Sequence, residues 1–265
     1  MSTAARTHCS VDADGRITFR LRPPTAAPSR LLLVLRPKKG RPEESTHTLD
    51  LEPHGDDGEF RAVLEPLPRL AEGRWDAYLL SGPDDARERL LPGLRDLRTL
   101  VDGGTRERPS PVTVRVPYAT LDGFLAIRTW LRPALAEAGP VGVDGATMTV
   151  RVRLHGTEPG AGAEAVLRLR GDKDTVRSYP ARTAEDGGLS FTVACADLTT
   201  AVGRVWNVFV RPAAGARQVR VARLLDDLAD RKGVFVLPRV TVDGRVVRPY
   251  YTIDNDLAVE VTAAG

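Results

Sequence analysis

Flat aromatic rings are the residues of this sequence best placed to meet a ligand, because a ring face can stack on a sugar while its polar tip stays wet. Trp75 and Trp206 alternate with apolar neighbours, Ala77 and Leu79 in one case and Val208 and Val210 in the other, so both point into a core. Trp130 closes the run Leu125-Ala126-Ile127-Arg128-Thr129-Trp130, and Tyr251 follows Pro249-Tyr250; neither has an aromatic counterpart elsewhere in the chain. Trp130 and Tyr251 are therefore the candidate binding residues, with Tyr179 a weaker one. The plainer reading of Trp130 is packing at a junction between units.

Hydrolytic and metal chemistry have little to work with. His8, His47, His54 and His155 are scattered, with no pair at metal-ligand spacing. The sequence has no Gly-x-Ser-x-Gly elbow, no phosphate-cradling Gly-x-x-x-x-Gly-Lys loop and no dinucleotide fingerprint. No catalytic residue, metal ligand or cofactor is assigned. Cys9 and Cys195 are too few for a disulfide framework and read as buried thiols. The acidic groups Asp12-Ala13-Asp14, Asp56-Asp57, Asp172-Lys173-Asp174 and Asp254-Asn255-Asp256 have the oxygens that calcium takes. Turn formation explains them as well, since Asp and Asn bond their own backbone.

Thirty-eight basic residues stand against thirty-five acidic ones in 265, a net charge of +3. The basic stretches Arg36-Pro37-Lys38-Lys39-Gly40-Arg41 and Arg217-Gln218-Val219-Arg220 are short, and alternating arginines such as Arg151 and Arg153 read as the wet face of a strand. Nucleic-acid binding needs convergent cations, so it is not expected. The longest apolar run, Leu31-Leu32-Leu33-Val34-Leu35, has strand length, and no membrane span is expected. The N-terminus, Met1-Ser2-Thr3-Ala4-Ala5-Arg6-Thr7-His8, lacks a secretory apolar region, which gives a cytoplasmic location by default.

The elements that must position these residues are strands. Ile17, Phe19 and Leu21 share a face, as do Val112, Val114 and Val116, and Met148, Val150, Val152 and Leu154. Asp-Gly turn signals punctuate the chain, and Asp122-Gly123 predicts a two-residue type I′ hairpin, with Asp254-Asn255 in the same role. Pro117 and Pro249 cannot donate to a ladder and belong at an edge or a strand start. Helix is expected only briefly, around Leu94 to Val101 and Leu224 to Leu228.

The chain also repeats itself. Gly73-Arg74-Trp75-Asp76-Ala77-Tyr78-Leu79 answers Arg204-Val205-Trp206-Asn207-Val208-Phe209-Val210, with the tryptophans 131 residues apart. Leu33-Val34-Leu35-Arg36 answers Leu167-Arg168-Leu169-Arg170, and Pro117-Tyr118-Ala119-Thr120-Leu121-Asp122-Gly123 answers Pro249-Tyr250-Tyr251-Thr252-Ile253-Asp254-Asn255. The expectation is an all-β chain of two tandem immunoglobulin-like β-sandwiches arising from an internal duplication, residues 6–133 and 141–263. Ala134 to Pro140 is read as the linker.

Arg248-Pro249-Tyr250-Tyr251-Thr252-Ile253-Asp254-Asn255-Asp256-Leu257, together with Gly73 to Leu79, resembles the tandem β-sandwich accessory modules of bacterial cell-wall, teichoic-acid-type glycosyltransferases and glycerophosphotransferases. The resemblance implies modules for oligomerisation or polymer contact, the chemistry residing in a separate domain. This chain has no such α/β domain, so no catalytic residue is carried over. The expected function is a non-catalytic accessory or binding protein that engages a cell-wall glycopolymer or a glycosyltransferase partner. The alternatives are a transferase or hydrolase with a loop-built site, and a homo-oligomeric scaffold paired through strand edges.

Overall fold

The computed structural model describes residues 5–23, 28–37, 40, 42–43, 45–55, 58–81, 84–103, 108–172 and 174–265. Lys38, Lys39, Arg41, Asp56, Asp57, Lys173 and residues 1–4, all of which entered the sequence reading, lie outside the described residues. The all-β expectation holds. Strands follow one another, and among the described residues helix is limited to Arg98–Asp102 and a single 3-10 turn, Cys195–Leu198. No helix among the described residues is long and apolar enough to cross a membrane.

The chain divides into two compact units, residues 1–106, 113–131 and 225–229 in the first and 107–112, 132–224 and 230–265 in the second. The first carries β1 (Arg6–Val11), β2 (Ile17–Leu21), β3 (Pro28–Leu35), β4 (Thr46–Asp50), β5 (Glu52–His54), β6 (Glu59–Leu64), β7 (Gly73–Ser81), β8 (Ala86–Arg89), β9 (Leu91–Asp96), β10 (Val112–Ala119) and β11 (Leu125–Arg132). One sheet runs β5-β6-β2-β1-β9 and the other β10-β11-β7-β3-β4, with β8 beside β7. Ile17, Phe19, Leu21 and Leu64 of the first sheet and Leu31, Leu33, Trp75, Ala77 and Leu79 of the second are all buried, as period-two alternation requires.

The second unit carries β12 (Leu135–Asp144), β13 (Thr147–His155), β14 (Glu164–Leu169), β15 (Val176–Thr183), β16 (Leu189–Ala194), β17 (Arg204–Arg211), β18 (Val219–Ala222), β19 (Val240–Val242), β20 (Arg245–Tyr251) and β21 (Leu257–Ala263). Pairing runs β14-β15-β16-β13-β12-β18-β17, and β17 returns to β14, so seven strands form a closed ring. The N-terminal half of β17 also pairs with β21, which leads through β20 to β19. Trp206, Val208 and Val210 of β17 pack inside with Leu167, Phe191 and Val221. Each such aliphatic side chain contributes about 1.5–3 kcal/mol by leaving water. The two recurring tryptophans are held alike: Trp75 Nε1 donates to the Ala71 carbonyl at 3.0 Å and Trp206 Nε1 to the Leu198 carbonyl at 3.3 Å.

Three local expectations are corrected. Ala134 to Pro140 is no linker, because Leu135–Asp144 is a continuous strand whose register shifts between Ala138 and Val141. Pro140, without an N–H, and its neighbour Gly139 sit at that bulge. Residues 224–228 form no helix. The Leu224 N–H bonds the Glu137 carboxylate at 2.9 Å and the Leu228 N–H bonds Asp226 Oδ1 at 3.0 Å, so side chains take donors that a helix would use.

The hairpin at Asp122-Gly123 has a three-residue loop. Thr120 N–H donates to the Phe124 carbonyl, Gly123 N–H donates to the Thr120 carbonyl, both at 2.9 Å, and only Gly123 has positive φ, at 84°. Its counterpart repeats that geometry, with Asn255 at φ 59°. The type I′ turn occurs instead at Asp243-Gly244, both left-handed at 51° and 68°, joining β19 to β20.

Candidate functional site

The inward faces of β14, β17 and β18 belong to the core of the second unit, so their alternate residues form one outward face. Arg168 stands opposite Asn207, and Phe209 opposite Arg220. Arg170, one residue beyond β14, donates from Nη2 to Asn207 Oδ1 at 2.9 Å, and Arg220 donates to the same oxygen at 3.0 Å. Two guanidiniums thus converge on one neutral amide. Arg220 also meets Asp256 Oδ2 at 3.3 Å, and Arg132 Nη1 meets the other oxygen of that carboxylate at 2.7 Å. The Phe209 ring lies between two cations, the Arg220 Cζ 4.8 Å and the Arg168 Cζ 5.9 Å from its centroid.

Arg132 and Arg220 share Asp256, Arg170 and Arg220 share the neutral Asn207 amide, and Arg168 is exposed beside them. The neighbouring acids are engaged elsewhere, Glu164 by Arg211 and Glu260 by Arg248. Burial pushes the Arg220 pKa down; Asp256 opposes this, and the nearby Arg132 and Arg170 add to it. The side chains of Arg132, Arg220 and Asp256 are 13%, 17% and 16% exposed. A planar guanidinium donates in a fork that matches carboxylate and phosphate oxygens, so such a face can take an oxyanion.

The first unit holds the same constellation with its charges matched. Arg36 grips Asp76 with two bonds, at 2.7 and 3.2 Å, and Arg89 reaches Asp76 Oδ1 at 3.3 Å and Asp122 Oδ2 at 2.7 Å. Arg89 also lies over the Phe124 ring, 4.1 Å from its centroid. Asp76 occupies the place of Asn207, and buried Val34 the place of Arg168. The Thr120 hydroxyl and then Arg89 hold the Asp122 carboxyl at about 2, below its ordinary value.

The two aromatic residues singled out from the sequence are interior. Trp130, in β11, is 1% exposed, with the Arg128 guanidinium 5.0 Å from its ring, and Tyr251, in β20, is 2% exposed. Tyr251 meets Phe235 edge-on at 6.1 Å, and the buried Arg231 lies 5.8 Å from its ring. Neither ring offers a face to solvent: Tyr251 belongs to the core of the second unit, and Trp130 lies buried on the face of β11 opposite Ile127 and Thr129. Tyr179 donates its hydroxyl to Asp197 at 2.9 Å.

Other candidates have local duties. Asp12 Oδ1 accepts from the Asp14 and Arg16 N–H groups, and Asp172 Oδ1 from those of Asp174 and Thr175, so these acids build turns. Cys9 and Cys195 are buried thiols; burial raises the pKa of both, that of Cys9 to about 12. Among the described residues no three His, Cys, Asp or Glu side chains gather as metal ligands.

The arginine face escaped the sequence reading, which took Arg217 to Arg220 as solvated. Its signal lay in the repeat: Arg89 and Arg220 are spaced like the two tryptophans, and Asp76 aligns with Asn207.

No family model matches this chain, and no curated protein matches it. Among solved structures, a crystal structure of S. aureus TarS matches with a TM-score of 0.38 and 14% identity, over 62% of this chain and 31% of that one. A second, of S. aureus TarS residues 217–571, matches with a TM-score of 0.32 and 13% identity, over 71% of this chain and 55% of that one. The chain thus spans well under two thirds of either structure. Likenesses this remote carry no argument about fold or activity.

Proposed function

We propose that this chain is a non-catalytic binding or accessory protein whose second unit engages an anionic cell-wall glycopolymer, or a transferase partner carrying one. In this reading the chain is two tandem immunoglobulin-like modules, the second beginning with Leu135–Asp144 and closed into a ring. The observation that carries it is Asn207 in the place of Asp76, which leaves Arg170 and Arg220 on a neutral amide where Arg36 and Arg89 meet a carboxylate. A partly buried cation without a full counter-charge is costly unless an oxyanion completes it. A polyol-phosphate polymer supplies such anions repeatedly, and Phe209 between Arg168 and Arg220 offers an apolar surface for the carbon backbone. A cytoplasmic location belongs to the same reading, and two buried, unbridged thiols suit a reducing compartment.

Titration of the purified protein with a poly(glycerol phosphate) and with a neutral dextran tests the proposal. The phosphate polymer should bind, more weakly as salt rises, and the double change Arg168→Ala, Arg170→Ala should lower its affinity about tenfold or more. Equal binding of both polymers, or of neither, overturns it. Trp130→Ala and Tyr251→Leu separate this reading from aromatic stacking: loss of polymer affinity in a folded variant would restore the rings as binding residues.

A further inference from the structure

The second unit has a concavity at the mouth of its seven-strand ring, where the turn between β14 and β15 meets the loop entering β17. Arg177, Arg204, Thr175, Thr200, Val176 and Val202 are among its lining residues, and its volume is about 510 Å³. That lies inside the range of about 300–1,000 Å³ typical of small-ligand sites, which favour the mouths of barrels.

The two arginines give the space its character. Arg204 donates to the Arg170 carbonyl at 2.9 Å, and Arg177 to the carbonyls of Asp197 and Val176 at 3.3 and 3.1 Å. The Arg177 guanidinium stands 5.6 Å from the Trp206 ring, which fixes it over the end of the core. Among the described residues neither arginine forms an ion pair, whereas Arg211 and Arg248 on the same unit each hold a glutamate. Asp172 feels the Arg204 charge, but its carboxylate is taken by the Thr175 hydroxyl at 2.8 Å and by two backbone N–H groups, and Asp174 is the one acid in the lining.

We propose that the ring mouth binds a small oxyanion-bearing molecule, a phosphate monoester or a carboxylate on a short polar body. Arg204 and Arg177 hold the oxyanion, the Thr200 hydroxyl adds a donor, and Val176 and Val202 pack against the carbon body. The site is separate from the arginine face and does not depend on the polymer reading.

The test is an NMR titration of the full chain with methyl phosphate and, in parallel, with acetate. Saturable shifts should centre on the amides of Thr175, Thr200 and Val202. Arg204→Gln should weaken binding about tenfold, the loss expected for one charged hydrogen-bonding group, and Arg168→Ala should leave it unchanged. The tighter of the two probes identifies the oxyanion. Should Arg204→Gln not fold, Arg204→Lys keeps the charge without the fork and should bind more weakly than the parent. Absence of saturation up to about 10 mM of either probe overturns the proposal. Unchanged affinity in the Arg204 variants, or loss in Arg168→Ala, also overturns it, the latter placing the anion on the arginine face.

Discussion

Asp76 of the first unit and Asn207 of the second hold corresponding positions on β7 and β17, and each receives two arginines. In the first unit the pair ends in carboxylates, Asp76 and Asp122, so the constellation is a finished structural network. In the second, one oxygen differs in charge, Val34 has become Arg168, and the same geometry is left with cations to place. The hairpins beside these networks differ in the same sense. Gly123 fills the left-handed position with no side chain, whereas Asn255 fills it and accepts the Arg231 N–H at 3.0 Å, tying down the segment that follows β18. The two backbones correspond at these positions, and the networks differ in a few side chains.

The comparison breaks most visibly at Trp130, whose counterpart is Thr262. Trp130→Ala should cost about 3–5 kcal/mol by urea unfolding, as expected for a buried indole, while the exposed Thr262→Ala should stay within about 0.5 kcal/mol. Next, Asp76→Ala should cost about 2–3 kcal/mol because it strips a charged acceptor from Arg36 and Arg89, whereas Asn207→Ala loses neutral acceptance at about 1 kcal/mol. Equal losses would remove the distinction between a matched and an unmatched network. Asn255→Ala should cost about 2 kcal/mol, left-handed strain plus one lost bond, against about 1 kcal/mol for Gly123→Ala, where a methyl meets open space.

Asn207→Asp sharpens the comparison without unfolding anything. It gives the second unit the charge of the first, and phosphate-polymer affinity measured by titration should fall while the melting temperature holds or rises. The smallest effect is in pH. Asp122 has its folded pKa depressed to about 2, so its contribution is complete above its unfolded value and is lost as pH falls through that of the folded state. Carboxyl chemical shifts should place its inflection near 2, and an ordinary value would mean that Arg89 does not hold it.

Much of this architecture was legible in the chain. Alternation located the strands and faced Trp75 and Trp206 inward, and the gapless match of residues 117–123 to residues 249–255 anticipated two hairpins of one kind. The turn type was misjudged because Asp-Gly favours left-handed backbone at both residues only when flanking register leaves a two-residue loop, as at Asp243-Gly244 but not after Thr120. Leu224 to Leu228 carry helical spacing, yet Glu137, distant in sequence, takes the Leu224 N–H. The arginine face was hidden for a similar reason. Which guanidiniums converge is decided by the pairing of Arg168 with Asn207 and Phe209 with Arg220, and no single strand reveals that.

The closure of β14 onto β17 also sets the order in which the second unit loosens. Every strand of the ring has a neighbour on both sides, so its successive amides are held alternately by two ladders. β19 has a partner on one side alone, across three residue pairs with β20. In deuterated water its exposed amides exchange first, then those of β20 and β21, while those of β17, shared between ring and extension, keep their protons longest.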